Sequence, residues 1–390
     1  MSRDPVPIGR RVAYLRVRRR LSQQSFADRL GKSKSWVDKV ERGVRSLERV
    51  STIRDVAAVL RVDVAALIGR DVQPAGVAEH REGVARIRAA LSAYPMAFGR
   101  PTDREVLSAD RLAREVRQVW MTYQHARYPR LVELLPTVVT EVHRAHVQDP
   151  EVGRAALVEV CRVTAALLVK LGEGSLAWLA ADRAMSAAAG DRVLLGCAAV
   201  QLGQVLRASA RAGPVMLAAA SQIADGTPDE MSLRGSLLVQ AALIAARAGD
   251  DRAAGDLLDE AAELAAQVGD GNDHCWTAFG PTAVELARVA AAVELGDGPQ
   301  AVARHEEATG RDGWRWLPIE HRAAHLIDAA RAYLQTEDPT NAARVLVWAD
   351  SIAPAEIRHR PAARDVVAQV ARAPDAPATI TQLAINLGVL

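Results

Sequence analysis

Between Gly172 and Glu337 the chain interrupts its helical pattern five times at nearly even intervals, and this recurrence restricts the fold more than any other feature. The breaks fall at Gly172, Gly213, Gly249, Gly296 and Glu337, which are 41, 36, 47 and 41 residues apart. Each is a short turn followed by a helix with small residues, Leu and Ala at helical spacing, as in "RAGDDRAAGDLLDEAAELAA" and "ELGDGPQAVARHEEA". One such unit cannot bury its apolar face alone, so the period predicts stacked helical hairpins, over roughly residues 105 to 372. Composition agrees, because Ala, Leu, Val and Arg dominate and aromatic residues make up only 4%, a mixture that suits helices. A chain of 390 residues also exceeds one ordinary core, which predicts at least two domains.

Charge divides the chain at the same place as the pattern. Residues 1–70 contain 17 Lys and Arg against 7 Asp and Glu, a net of +10, which leaves −8 for the remainder of a chain whose total is +2. A basic head on an acidic body is the electrostatic footprint of a polyanion binder whose second part does something else. Charge alone does not separate that reading from a merely solvated basic helix. Five helices can be written for the head from its pattern. The first spans Ile8 to Arg20, with Val12, Leu15 and Arg16 on one side and the basic run Arg18 to Arg20 at its C-terminal end, where cations suit the helix dipole. Ser22 caps the second, which turns Phe26, Ala27 and Leu30 inward and stops at Gly31. Ser33 caps the third, in which Trp36, Val37 and Val40 recur at helical spacing and which ends at Gly43. The last two are expected over Leu47 to Leu60 and Val64 to Ile68.

The stretch "LSQQSFADRLGKSKSWVDKVERG" resembles the helix-turn-helix of the lambda-repressor-like, or xenobiotic-response-element (XRE), family of transcription factors. The residues that carry the likeness are Leu21, Ser22, Gln23, Phe26, Ala27, Gly31, Ser33, Val37, Val40, Glu41 and Gly43. Phe26 replaces the usual Leu, and Lys32 takes a place commonly held by a small apolar residue. The resemblance implies a five-helix DNA-binding domain over residues 1–70 whose third helix enters the major groove. On it Lys34, Ser35 and Lys39 would meet base edges. Trp36 either packs beneath the helix or sets its ring against a thymine methyl or a sugar, packing being the stronger reading. Gln23 would hydrogen-bond a phosphate and fix the docking angle. Arg18, Arg19, Arg42 and Arg45, with Arg20 and Arg49, are candidates for further phosphate contacts. Glu41 lies where the negative end of a helix dipole repels it and so needs a partner; the resemblance suggests Arg16, in a structural ion pair. "GKS" at Gly31 to Ser33 is not a phosphate-binding loop, because Phe26 stands where that motif needs glycine and no strand precedes it.

Residues 71–104 read as a linker followed by a connecting helix. "RDVQPAGVA" loses periodicity and contains Pro74 and Gly76, and an amphipathic segment follows over Glu79 to Tyr94, with Val84, Ile87, Ala90 and Leu91 on one stripe. That segment is either a connector or part of a dimer interface. Residues 105–390 resemble the tetratricopeptide repeat (TPR) superfamily, with longer and degenerate units. The fold class expected for the whole chain is therefore all-α, a lambda-repressor-like head followed by a TPR-like α-solenoid. The resemblance implies a superhelix whose concave face binds peptides or protein segments, while another face or an end makes a dimer.

No enzyme site can be read from the body. His321 and His325 in "HRAAH" have a zinc-like spacing, but Arg322 stands where a metalloprotease needs Glu; His143 and His146 lack a third ligand. Both pairs are read as satisfied histidines, and no metal or cofactor is expected. Cys161, Cys197 and Cys275 are odd in number and far apart, so they read as small buried hydrophobes. No apolar run reaches the length of a membrane span and the N-terminus lacks an export signal, which predicts a cytoplasmic protein.

The stretch most suggestive of ligand capture begins "GDGNDHCWTAFG" at Gly269. It offers Asn272, Asp273 and His274, then Trp276 and Phe279, and an amide beside aromatic rings suits peptide or small-molecule binding. The competing reading is a long inter-repeat loop whose Trp276 and Phe279 plug the core. Trp120, Tyr123, Arg117, Trp178 and Gln240 are weaker candidates on other helices. Head and body together resemble the XRE-TPR regulators frequent in actinobacteria. That resemblance implies a homodimeric transcription factor on a double-stranded DNA operator, with a peptide or small-molecule effector. A body serving only as a dimerisation or docking scaffold is the alternative.

Overall fold

The computed structural model describes residues 8–19, 21–45, 47, 50–60, 75–93, 107–209 and 211–390. All regular structure among them is helical, and the chain divides into two compact units, Met1–Glu82 and Gly83–Leu390. No described helix is long and apolar enough to cross a membrane.

The first unit contains α1 (Ile8–Arg18), α2 (Gln23–Leu30), α3 (Lys34–Glu41) and α4 (Val50–Leu60). Two hydroxyls set the starts of the central helices: Ser22 Oγ accepts from the Ser25 N–H at 3.0 Å, and Ser33 Oγ from the Trp36 N–H at 3.1 Å. Gly31 ends α2 at φ 60°, where an L side chain would be strained. Val12, Phe26, Ala27, Val37, Val56, Ala57 and Leu60 form one small core. One helix end shifts slightly from expectation, since α1 stops at Arg18, and the described part of α4 is Val50–Leu60. The helix expected at Val64 to Ile68, together with Arg20 and Arg49, lies outside the described residues.

Helix α5 (Ala75–Ser92) corrects the expected linker, because it already includes residues 75–78 and takes in Gly76. A single glycine lowers helix propensity without ending the helix. The apolar stripe of α5 is neither a free connector nor an open interface: Val84, Ile87 and Leu91 are buried in the core of the second unit.

The second unit is a series of antiparallel hairpins: α6 (Ala109–Gln124) with α7 (Tyr128–Gln148), α8 (Pro150–Lys170) with α9 (Gly174–Ala187), and α10 (Arg192–Leu206) with α11 (Ala212–Ala220). They continue with α12 (Pro228–Arg247) and α13 (Asp251–Val268), α14 (Pro281–Leu295) and α15 (Gly298–Gly310), then α16 (Ile319–Gln335) and α17 (Pro339–Ile352). A short α18 (Pro354–His359) leads to the last pair, α19 (Pro361–Ala371) and α20 (Ala378–Leu387). The periodic breaks have a common local cause. Gly172, Gly249, Gly296 and Glu337 adopt positive φ of 77°, 82°, 83° and 58° after a helix. At the last three of these breaks the next residue, Asp250, Asp297 or Asp338, caps the following helix with its carboxylate. Gly213 departs from this scheme, because it sits inside the first turn of α11.

The first helices of successive hairpins stack on one another, α8 on α10, α10 on α12, α12 on α14 and α14 on α16. The array then closes: α16 meets α6, and α18 meets α7. One apolar core accordingly includes Leu112, Leu131 and Val142 from the start of the array and Leu326, Ile357 and Val367 from its end. The concave face expected of a superhelix is therefore bounded by both ends of the array.

A candidate nucleic-acid interface and an interior cavity

In the head, a buried ionic knot fixes the third helix. Arg16 Nε donates to Glu41 Oε1 at 2.5 Å and its Nη2 to Glu41 Oε2 at 2.9 Å, a bidentate pair between α1 and the end of α3. The same guanidinium donates through Nη1 to the Leu21 carbonyl at 2.7 Å. Glu41 also raises the pKa of Arg16, chiefly through their hydrogen bond and against the opposing effect of burial. Gln23 joins the knot, its Nε2 donating to Glu41 Oε2 at 2.8 Å. One amide hydrogen and the carbonyl of Gln23 are left for other partners. Close approach of α1 to α3 needs Gly9, where a Cβ would lie 2.0 Å from the Val40 carbonyl oxygen. Sequence reasoning missed Gly9, because its requirement comes from a crossing partner and not from its own turn.

On this frame Lys34, Ser35 and Lys39 are exposed on α3, whereas Trp36 is half-buried and packs against the head core. Arg42 is exposed and pairs with Asp38 at 3.2 Å; Arg45 and Arg19 are exposed as well. The side chain of Arg18 lies outside the described residues.

The first helices of the hairpins line a cavity of about 820 Å³. It brings together Trp120, Tyr123, Gln240, Trp276 and Phe279, five residues singled out from three separate regions of sequence. Trp276 stacks on Trp120 with ring planes 3° apart and centroids 5.8 Å apart. Phe279 is buried against Gly235, where even a Cβ would come within 2.0 Å of the ring. The loop thus both plugs the core and lines the cavity. It is held in a strained form, with Cys275, Trp276 and Ala278 at φ 54°, 58° and 50°, and is tied to α6 by Gln124 Nε2 donating to Asp273 Oδ2 at 2.5 Å.

The remaining candidates lie elsewhere. Asn272 lines a separate pocket of about 260 Å³ beside Trp316, and His274 Nδ1 faces Asp229 Oδ1 at 2.7 Å. Arg117 and Trp178 are exposed and line neither space. Cys161 and Cys197 are buried, and burial pushes the Cys161 thiol up to about 12; Cys275 is only partly buried. Among the described residues no group of three or more His, Cys, Asp or Glu is arranged to hold a metal.

Charged residues that the sequence reading passed over form the cavity's polar side. Lys170 Nζ pairs with Glu320 and lies 3.0 Å from Glu356 Oε1. Tyr123 Oη donates to Glu320, Tyr128 Oη donates to Glu356, and Arg360 Nη1 reaches Glu356 Oε2 at 3.3 Å. Burial alone would push the Glu320 carboxyl up; Lys170 and His321 outweigh it and hold the group well below its ordinary value. Burial, reinforced by these carboxylates, raises Tyr123 and Tyr128 well above theirs. His325 is buried with its Nε2 2.9 Å from His305 Nδ1, and burial depresses them to about 3 and about 4 respectively, so both are neutral near pH 7.

Fold and site together define a helix-turn-helix head carried with a body of stacked helical hairpins. The model of a helix-turn-helix domain matches residues 7–67. Among solved structures the chain is similar to PlcR of Bacillus thuringiensis in complex with the peptide PapR7 and DNA, at 11% identity and a TM-score of 0.30, over 90% of this chain and 96% of that one. It is also similar to ComR from S. thermophilus in complex with DNA and its signalling peptide ComS, at 11% identity and a TM-score of 0.22, over 90% of this chain and 99% of that one. No curated protein matches the chain in sequence.

Proposed function

We propose that the chain is a sequence-specific DNA-binding transcriptional regulator of the XRE type, acting as a homodimer, whose body senses a peptide or small-molecule effector. The observation that carries this reading is the exposure of Lys34, Ser35 and Lys39 on a helix whose other face is locked by Arg16, Gln23 and Glu41. Rigid presentation of side chains with donors is what base readout requires, and lysine suits the O6 and N7 acceptors of guanine. Gln23, Arg18, Arg19, Arg42 and Arg45 supply the phosphate contacts that set register. Two heads in one dimer would address half-sites about 34 Å apart, and an effector would act by favouring or disfavouring that spacing. The cavity that gathers Trp120, Tyr123, Trp276 and Phe279 supports the sensing part, because its size and mixed lining fit a small-ligand site.

Binding of sequenced genomic fragments to the full chain at defined salt tests the reading. A shared motif with dyad symmetry is expected, lost in Lys34→Ala. Uniform, salt-labile binding without any motif would reduce the head to a general DNA anchor.

A further inference from the structure

Two arginines of the body, Arg162 and Arg207, have surroundings that differ in kind. Arg162 on α8 is fully buried, and each of its three nitrogens donates a hydrogen bond. Its Nε donates to Gln201 Oε1 at 3.1 Å, its Nη1 to Glu159 Oε1 at 2.6 Å and its Nη2 to the Cys275 carbonyl at 3.0 Å, with the guanidinium 5.2 Å from the Trp120 ring centroid. Arg207, at the C-terminal end of α10, has one hydrogen-bond partner among the described residues, a neutral amide: Nη2 donates to Gln240 Oε1 at 2.9 Å. Its Nε is shielded from solvent and bonded to nothing among the described residues. A shielded donor left unpaired costs free energy that a ligand oxygen would recover.

The protein's own carboxylates do not fill this role. Of those lining the cavity, Glu320 is held by Lys170, and Glu294 and Asp328 by Arg331 at 2.9 and 3.4 Å; Asp365 is exposed. Burial holds Arg207 below the ordinary guanidinium value; the cations Arg360 and Arg247 push the same way, against Asp328 and Glu294. Gln240 is itself fixed, because α10 approaches α12 at Gly203, where a Cβ would lie 3.0 Å from the Gln240 side chain.

We propose that Arg207 anchors a carboxylate subsite and that the cavity takes an amphiphilic organic monoanion, its apolar part lying along Val200, Val239, Leu243 and Leu286. The guanidinium edge formed by Nε and Nη2 can donate to both oxygens of a carboxylate, with the second hydrogen of Nη2 kept for Gln240. Histidines aside, five cations (Lys170, Arg207, Arg247, Arg331 and Arg360) face four acids in the lining, which suits one negative charge better than a dianionic phosphate. The proposal rests on the sensing reading of this cavity and adds the charge and anchor of its effector. A peptide C-terminus and a small organic acid share this chemistry.

The test is calorimetric titration of the full chain with matched acids and amides. One arm uses 4-phenylbutyrate and 4-phenylbutanamide; the other uses a pool of apolar pentapeptides with free or amidated C-termini. The acid is expected to bind at least tenfold more tightly than its amide in one arm, and that arm identifies the source. The preference should collapse in Arg207→Met and fall in Arg207→Lys, which keeps the charge but loses the fork. Gln240→Glu, which places a carboxylate on Arg207, should also weaken the acid, and it serves if the Met variant does not fold. Absence of any acid preference in both arms, whether both forms bind equally or neither binds, overturns the proposal, as does a preference unchanged in the variants. Operator affinity, measured with each saturating ligand, separates this inference from the sensing reading. Acid binding that leaves operator affinity unchanged keeps the subsite and removes sensing, whereas amides that shift affinity as strongly as acids keep sensing and overturn the anchor.

Discussion

Head and body use buried charge over very different lengths of chain. The head's knot joins Arg16 to Glu41, 25 positions away, and it holds an exposed helix in place. The body's network joins Tyr128 to Glu356 across 228 positions, and it ties the two ends of the array together. A buried carboxylate is tolerable in each case only because cations and hydroxyls satisfy it. What differs is the extent of structure that depends on it.

That difference can be broken experimentally, most severely in the body. Glu356→Ala leaves Lys170, Arg360 and Tyr128 without their shared acceptor, and a loss of roughly 3–5 kcal/mol is expected. Hydrogen exchange on the full chain should show it as lost protection in both α7 and α18; loss confined to α18 would mean that the closure does not couple the two ends. Acidification should be next in size. His305 and His325 have folded pKa values of about 4 and about 3, below the unfolded value, so the unfolded chain binds protons first. Stability from these groups is therefore full above about pH 6.5 and falls as the pH drops towards 4. His325→Leu should flatten this decline in a series of denaturant midpoints. In the head, Glu41→Ala should cost about 3 kcal/mol at most, because Arg16 retains the Leu21 carbonyl. Protection should fall in residues 8–41 while the body is unchanged, and unaltered exchange there would sink the structural role of the pair. Lys39→Ala should have the smallest effect, about 1–3 kcal/mol on specific operator binding with no change in stability. Equal loss on unrelated DNA would reassign Lys39 to a phosphate.

The same contrast explains what could be read from sequence. Ser22, Gly31 and Ser33 act on their own helix ends, so their spacing disclosed the head. Gly249, Gly296 and Glu337, each followed by a capping Asp, likewise disclosed the hairpins. Closure left no comparable trace. Lys170 and Glu356 each look like a charge on a solvated helix until the end of the array reaches its beginning. Trp120 and Trp276 were singled out separately, yet nothing in either neighbourhood shows that their rings stack. Ala75 to Ala78 misled in the opposite direction, because Gly76 two residues after Pro74 reads as a turn although the helix runs through it.

Contact between α6 and α16, and between α7 and α18, also bears on how the body acquires its structure. In an open array each repeat meets only its neighbours, so folding can start anywhere and spread, and stability accumulates repeat by repeat. Here the final contacts require the ends of a segment of more than 200 residues to find each other, with the loop-closure entropy that such a search entails. Those contacts raise the mean sequence separation of the fold and should slow its last step relative to an open solenoid of equal length. A truncation at either end would remove a wall from the opposite end as well, so the hairpins are not interchangeable modules.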